Sequence, residues 1–266
     1  MNKNIGFIGC GNMGSAMISG IVKAEIVPSD RIYVCDHHEN NFDKVKEYNV
    51  NTTTNVIEMV QKVDILILSV KPYVYESVIS QIKEDIKKDV IVVCIAAGKS
   101  IEQVENAFEK KVKVVKAMPN TPALVLEAMS AVSFNDLIEE VEKEEILKIF
   151  SGFGKVEVVK EELMDAVTAV SGSSPAYVYM MIEAMADAAV KQGMPRKQAY
   201  VFASQAVYGA SKMVLETHQH PGQIKEAVCS PSGTTIEAVG KLEETGFRSS
   251  IIQAMDACYE KSKRMK

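Results

Sequence analysis

Apolar and polar positions alternate along the first part of this chain in two recurring patterns. Short continuous apolar runs read as buried strands, and stretches with apolar residues at helical spacing follow them. Ile5, Phe7 and Ile8 form the first run. From Asn12 the pattern turns helical, with Met13, Ala16, Met17, Ile21 and Val22 on one face. Arg31–Cys35 predicts a second strand, Phe42–Tyr48 a short helix, Asn51–Thr54 a weak edge strand and Val56–Val60 a helical turn. Asp64–Val70 is a continuous apolar strand suited to the middle of a parallel sheet. It runs into Pro72, which suits the first turn of the next helix. Asp89–Ala97 repeats the unit, with a β-branched run at Val90–Val93 and a helix from Ser100. Val112–Ala117 predicts a sixth strand. Ala128–Phe134 and Lys155–Val159 add two more, flanking an amphipathic helix over Leu137–Phe150. Alternation of this kind argues for a doubly wound parallel sheet, in which ligands bind beyond the carboxyl ends of the strands.

From Glu161 the strand pattern stops. Helices are expected over Glu161–Val170, Pro175–Gln192, Arg196–Thr217, Pro221–Val228, Ser232–Glu244 and Phe247–Lys263. Two of them are nearly uncharged. Pro175–Val190 carries only Glu183 and Asp187, and Gln198–Ser211 carries no charge. A helix apolar all round must be buried all round, and a segment of about a hundred residues has little interior for two of them. Burial against a second subunit is the economical expectation. The Met and Tyr residues here, such as Tyr177, Tyr179, Met180, Met181 and Met185, then read as packing residues rather than a cofactor box.

Composition narrows the partners. The chain has 266 residues, 47% hydrophobic, which is enough for one large or two modest domains. Net charge is -5 with no basic stripe, which argues against nucleic acid. The five cysteines include no Cys-x-x-Cys pair and read as buried thiols. A core strand begins at once, so no signal peptide is expected, and the longest charge-free run, Ala166–Ile182, is broken by Ser-Gly-Ser-Ser-Pro, so no membrane span is expected either. The expected compartment is the cytoplasm.

The candidate chemistry starts at the first strand. Gly9, Gly11 and Gly14 stand at Gly-x-Gly-x-x-Gly spacing between that strand and the helix from Asn12. In a dinucleotide site the first glycine permits the tight turn, the second lets a pyrophosphate approach the backbone, and the third lets the helix pack on the strand. Asp36, at the end of the second strand, is placed to accept from adenosine ribose hydroxyls; it otherwise reads as a loop residue capping the next helix. His37, His38 and Asn40 follow it in place of an arginine for a 2′-phosphate, which leans towards NAD. His37 and His38 stand in no carboxylate–histidine cluster, so a solvated loop is expected and no metal. Three strand ends, Gly9–Gly14, Ser69–Pro72 and Met118–Pro122, should converge on one crevice. In the helical part, Ser171–Pro175 and Ser230–Thr235 are hydroxyl-rich loops that each open a helix. They serve as N-caps, or their unpaired N–H groups hold a carboxylate.

With these motifs in hand, the chain resembles the pyrroline-5-carboxylate reductase family over nearly its whole length. The resemblance rests on Gly6-Phe7-Ile8-Gly9 through Gly14, Ser69-Val70-Lys71-Pro72, Met118-Pro119-Asn120-Thr121-Pro122, Ser171–Tyr177, and above all His220-Pro221 through Ser230–Ile236 to Leu242-Glu243. The family commonly has glycine where Ser232 and Ser174 stand, and arginine where Lys116 stands. Resemblance implies an α/β Rossmann-type parallel-sheet domain over residues 1–160 and an all-α dimerisation and substrate-binding domain over 161–266. It implies an enzyme that reduces the cyclic imine 1-pyrroline-5-carboxylate to L-proline with NADPH or NADH, a homodimer at least, with a decamer of dimers as a larger form. The implied cofactor contacts are Gly9, Gly11, Asn12, Met13, Gly14, Asp36, Val70, Lys71, Pro72, Ala96, Ala97, Gly98, Met118, Pro119 and Asn120. The implied substrate contacts are Ser230, Gly233, Thr234 and Thr235, with Thr235 as the polar group at the ring nitrogen.

A protonated imine already attracts a hydride, so no strong acid is required and the residues chiefly align the reactants. The β-hydroxyacid dehydrogenases are the competing enzyme class. They use a lysine early in the first long helix after the cofactor domain, because oxidising an alcohol requires a base. Here no Lys or Arg occurs between Lys160 and Lys191, and Val178 stands about where that lysine is expected. A nucleotide sensor without turnover is the third reading; the intact Ser230–Thr235 loop argues against it.

Overall fold

A computed structural model describes residues 1–265. The chain divides into two compact units, one formed by residues 1–173 with the chain from Cys258 onward, the other by Ser174–Ala257.

The first unit is built on one eight-stranded sheet: β1 Ile5–Ile8, β2 Ile32–Cys35, β3 Asn51–Thr53, β4 Ile65–Leu68, β5 Ile91–Cys94, β6 Lys113–Met118, β7 Ala128–Phe134 and β8 Gly154–Val158. Their order is β3-β2-β1-β4-β5-β6-β7-β8. It is the doubly wound order, reversing direction beside β1. Helices α1 Asn12–Lys23, α2 Val56–Val60, α3 Tyr75–Ile82, α4 Ile101–Phe108 and α5 Glu140–Ser151 cover it. Two separate cores result. Phe7, Ile67 and Val115 join Met17, Ile18 and Ile21 of α1 and Ile146, Ile149 and Phe150 of α5 in one. Leu66, Leu68 and Val92 join Ile79 and Ile82 of α3 and Val104 and Phe108 of α4 in the other. The apolar runs read from the sequence are thus buried on both faces, as a central parallel strand requires.

Several details depart from the sequence reading. β7 runs antiparallel to β6. Only a 3₁₀ segment, Thr121–Val125, connects them, and a parallel crossover needs a dozen or more residues. Phe42–Tyr48 is not an α-helix but part of two 3₁₀ pieces, Glu39–Lys44 and Lys46–Tyr48. The expected helix over Glu161–Val170 is broken into a 3₁₀ turn at Glu161–Leu163, a short α6 at Met164–Val167 and a π-helical turn at Thr168–Gly172. Ser171–Ser173 therefore forms no open loop. The Thr168 hydroxyl donates to Met164 O (2.8 Å) and Ser171 Oγ to Val167 O (3.1 Å). Such back-bonding loosens the α-helical ladder and favours a wider turn.

The second unit holds α7 Ser174–Lys191, α8 Arg196–Thr217, α9 Pro221–Ala227 and α10 Thr234–Glu244, and most of α11 Phe247–Lys263. α7 and α8 pack on each other. Yet α7 buries only Ala186, and α8 only Ala199 and Ala203. Met180 and Phe202 stand 69% and 64% exposed in the single chain. Among the described residues no helix is long and apolar enough to cross a membrane.

Candidate functional site

A crevice of about 760 Å³ opens in the first unit at the carboxyl ends of β1, β4 and β6. Gly9, Gly11, Asn12 and Met13 form one wall; Val70 and Lys71 follow β4; Met118 ends β6 and Pro119 follows it; Asp36 follows β2.

Each element of this wall has a local cause. Gly9 lies at φ +101°, where a side chain would also run into Ser69 O at 2.7 Å. The position a Cβ would take at Gly11 is open, with nothing within 4 Å. Gly14 does not line the crevice; a Cβ there would collide with the Gly9 carbonyl, so its role is close packing of α1 on β1. Gly11 is the N-cap of α1 and brings no side chain to its first turn. The first N–H groups of the helix and its positive dipole end therefore face the opening, which suits a pyrophosphate. Ser69 locks the turn from the neighbouring strand, donating to Ile8 O (3.0 Å) and Gly9 O (2.5 Å).

Asp36 does more than line the crevice. Its Oδ2 accepts from the Cys10 N–H (2.7 Å), inside the glycine turn. Its Oδ1 accepts from the His38 N–H (2.9 Å) and from Asn41 Nδ2 (3.0 Å). Burial alone would raise its pKa, but the hydrogen bonds from Cys10, His38 and Asn41 outweigh it and hold the carboxyl below its usual range. Cys10 and Cys35 are pushed up to about 11, by burial first and then by the Asp36 charge, which makes them inert packing thiols.

The remaining implied cofactor residues are placed differently. Ala97 and Gly98 line a second cavity of about 200 Å³ that shares Met118 with the crevice; Ala96 is buried. Pro72 starts a 3₁₀ turn before α3 and is not among the residues lining the crevice. Asn120 is 7% exposed, with Nδ2 donating to Ser171 O and Oδ1 accepting from Met129 N, both at 2.9 Å. It ties the end of β6 to the π-helical turn. Ser69, Tyr73, Val74, Ile95, His38, Asn41, Thr121 and Gly172 complete the lining. Ser69 and Thr121 fall inside motifs noted above. Gly172 lies inside the Ser171–Pro175 stretch, which reads from the sequence as a helix-opening loop and not as part of the cofactor crevice. It reaches the crevice because the π-helical turn sets it against Met118, whose Cε lies where a Cβ would go (2.6 Å).

Ser230, Gly233, Thr234 and Thr235 belong to the second unit. Gly233 is the N-cap of α10, so the helix begins at Thr234 rather than Ser232. The Gly233 N–H donates to Ser230 O (3.0 Å), closing the turn. Ser232 sits in the left-handed region at φ 57°. Ser174 heads α7 and shows no such strain. Of the two serines that stand where the resemblance implies glycine, only Ser232 lies in the left-handed region. Among the described residues, no group of three or more His, Cys, Asp or Glu is placed to hold a metal.

Residues 161–265 match the family model for pyrroline-5-carboxylate reductase dimerisation. Residues 4–98 match that for coenzyme F420-dependent NADP oxidoreductase. A pyrroline-5-carboxylate reductase from Escherichia coli is 48% identical over 100% of this chain and 99% of its own. One from Methanosarcina acetivorans is 43% identical over 99% of this chain and 98% of its own. The crystal structure of Plasmodium falciparum pyrroline carboxylate reductase with NADP bound superposes with TM-score 0.92 at 32% identity, covering 99% of this chain and 98% of that one.

Proposed function

The chain belongs to the pyrroline-5-carboxylate reductase family, and from that premise we propose how its residues divide the work. The reaction is reduction of the cyclic imine of 1-pyrroline-5-carboxylate to L-proline. NAD(P)H, when bound, supplies the hydride. The observation that carries the assignment is the crevice itself: a glycine turn with an open Gly11, a bare helix N-terminus and three converging strand ends. These residues fit a dinucleotide. In this reading Gly9–Gly14 receive the pyrophosphate, Asp36 stands at the adenosine ribose, and Val70, Lys71, Met118, Pro119 and the Ala96–Gly98 turn border the nicotinamide half.

The Ser230–Thr235 turn binds the substrate. The Thr234 N–H, first of the helix, suits its carboxylate and needs no counter-cation, while the Gly233 N–H is held by Ser230 O within the turn. The Thr235 hydroxyl both donates and accepts, so it stays bonded to the ring nitrogen as imine becomes amine. No general base is needed, which agrees with the absence of Lys or Arg between Lys160 and Lys191.

The chain associates through its helical part, and the exposed apolar residues of α7 and α8 support a homodimer as the smallest active form, with a decamer of dimers above it. In this reading the functional boundary falls at 160/161, with residues 161–266 serving dimerisation and substrate binding. The five free thiols support a reducing cytoplasmic location. The test is oxidation of NADPH and of NADH with and without pyrroline-5-carboxylate. Imine-dependent oxidation of either is expected; oxidation only with 3-hydroxyacids and NAD in the reverse direction, or none, overturns the assignment.

A further inference from the structure

One buried cation in the first unit has no place in the chemistry above. Lys116 is 3% exposed, on β6, opposite Cys94 of β5. Its Nζ donates to the Ala96 carbonyl oxygen and lies 3.9 Å from Cys94 Sγ. A lysine is rarely buried so deeply unless its ammonium is held by definite partners. Here one of those partners is the backbone of the segment that leaves β5.

That segment is fixed from a second direction. The Tyr75 hydroxyl, on a side chain 1% exposed, donates to Leu68 O at the end of β4 (2.5 Å) and accepts from the Ile95 N–H (3.3 Å). Tyr75 thus ties the end of β5 to β4, while Lys116 ties it to β6. Between them they hold Ile95, which lines the crevice, and Ala96, which precedes Ala97 and the left-handed Gly98 (φ +74°). Lys116 also borders the 200 Å³ cavity with Ala97, Gly98, Met118, Thr168 and Asp165. Asp165 is 5% exposed and accepts from Ser262 Oγ (2.8 Å).

We propose that Lys116 is a positioning residue for cofactor binding: by holding the Ala96 carbonyl, its ammonium sets the Ile95–Gly98 turn at the height the cofactor requires. The inference rests on the assignment of that turn to the cofactor. Lys116 itself does not line the crevice. A site residue held by a buried charge-assisted hydrogen bond keeps its geometry to a fraction of an ångström, and loss of the support loosens the site without unfolding the protein.

The experiment compares full-length Lys116→Met, Lys116→Gln and Lys116→Arg with wild type. NADPH affinity is measured by fluorescence titration without substrate, and KM for the imine at saturating NADPH. Lys116→Met, similar in length but without a donor, should weaken NADPH binding about tenfold and leave KM for the imine within twofold. Lys116→Arg, which keeps the charge and N–H donors, should return NADPH affinity to within about threefold of wild type. Lys116→Gln, too short to reach the Ala96 carbonyl, should behave like Lys116→Met and decides the matter should the Met variant not fold. NADPH affinity within twofold of wild type in the folded neutral variants, or equal impairment of the Arg and neutral variants, overturns the proposal. A wild-type protein that binds NADPH but shows no imine-dependent turnover overturns the functional assignment instead, and leaves the titration free to test Lys116.

Discussion

The glycine turn of the first unit and the paired helices of the second are both built from apolar, nearly uncharged sequence, yet they end in opposite states. Around the turn every strand is covered on both faces, and Asp36, Ser69 and Tyr75 bind backbone groups across strand ends. In α7 and α8 the apolar side chains face outward in the single chain. Apolar content alone does not say where burial happens. A sheet strand gains its covering from the same chain, through helices that follow it in sequence. The helices of the second unit find no such cover in the single chain, and the proposed homodimer is what would supply it.

This contrast is broken most directly at Phe202, 64% exposed on α8. Phe202→Glu should leave the fold of the first unit intact but abolish association, because an unpaired charge in a dry interface costs several kilocalories, on the order of 2–5 kcal/mol. Sedimentation velocity at micromolar concentration should show monomer or aggregate with no turnover. A variant that stays dimeric and active places the interface elsewhere.

Next in size is the substrate turn. Removing one hydrogen bond to a charged group costs about 1.5–3 kcal/mol. Thr235→Ala should therefore lower kcat/KM for pyrroline-5-carboxylate by about ten- to a hundredfold. Thr234→Ala should be much milder, since only the Thr234 N–H is used. Equal effects from the two substitutions would remove the assigned role of the Thr235 hydroxyl.

In the first unit, Asp36→Ala should weaken NADH binding by about tenfold and NADPH binding less, because the lost carboxylate both organises the Cys10 turn and repels a 2′-phosphate. An unchanged ratio of NADH to NADPH specificity would leave Asp36 a purely structural loop residue. The same carboxyl gives a pH signature. Its native pKa lies below the ordinary value of 3.8, so its stabilising bonds are complete above that value and are lost as pH falls through the depressed one. The stability difference between wild type and Asp36→Ala, read by denaturant unfolding followed by circular dichroism, should be full near neutral pH and shrink as pH falls below the ordinary carboxyl value; a difference that does not change with pH would remove the carboxylate from the stability of the turn.

The smallest effect separates the two serines. Ser232→Gly relieves a left-handed side chain and should stabilise by about 1 kcal/mol, seen as a higher melting temperature. Ser174→Gly relieves nothing and should give no gain. A Ser232→Gly protein no more stable than wild type would mean that the Ser230–Thr235 turn tolerates the side chain without strain.

Much of this was legible in residue order. Continuous apolar runs predict buried parallel strands because period and burial are local properties of a strand: β1 coincides with Ile5–Ile8, β4 and β5 fall inside Asp64–Val70 and Asp89–Ala97, and β6 is offset by one residue from Val112–Ala117. The glycine spacing, the helix start at Ser100 and the need of α7 and α8 for a covering surface were equally local. What residue order could not supply were contacts whose partners lie far apart along the chain. The antiparallel turn of β7 depends on how short its connection is against the width of a crossover. The π-helical turn that carries Gly172 to Met118 depends on hydroxyls bonding back along the helix. The links from Asp36 to Cys10, Asn120 to Ser171, and Lys116 to Ala96 span 26, 51 and 20 residues. The sequence by itself determined the layers, the motif order and the family; only tertiary structure decided which polar side chains face the crevice and which brace it, because a side chain's partner is set by where the strands end in space and not by its neighbours in the chain.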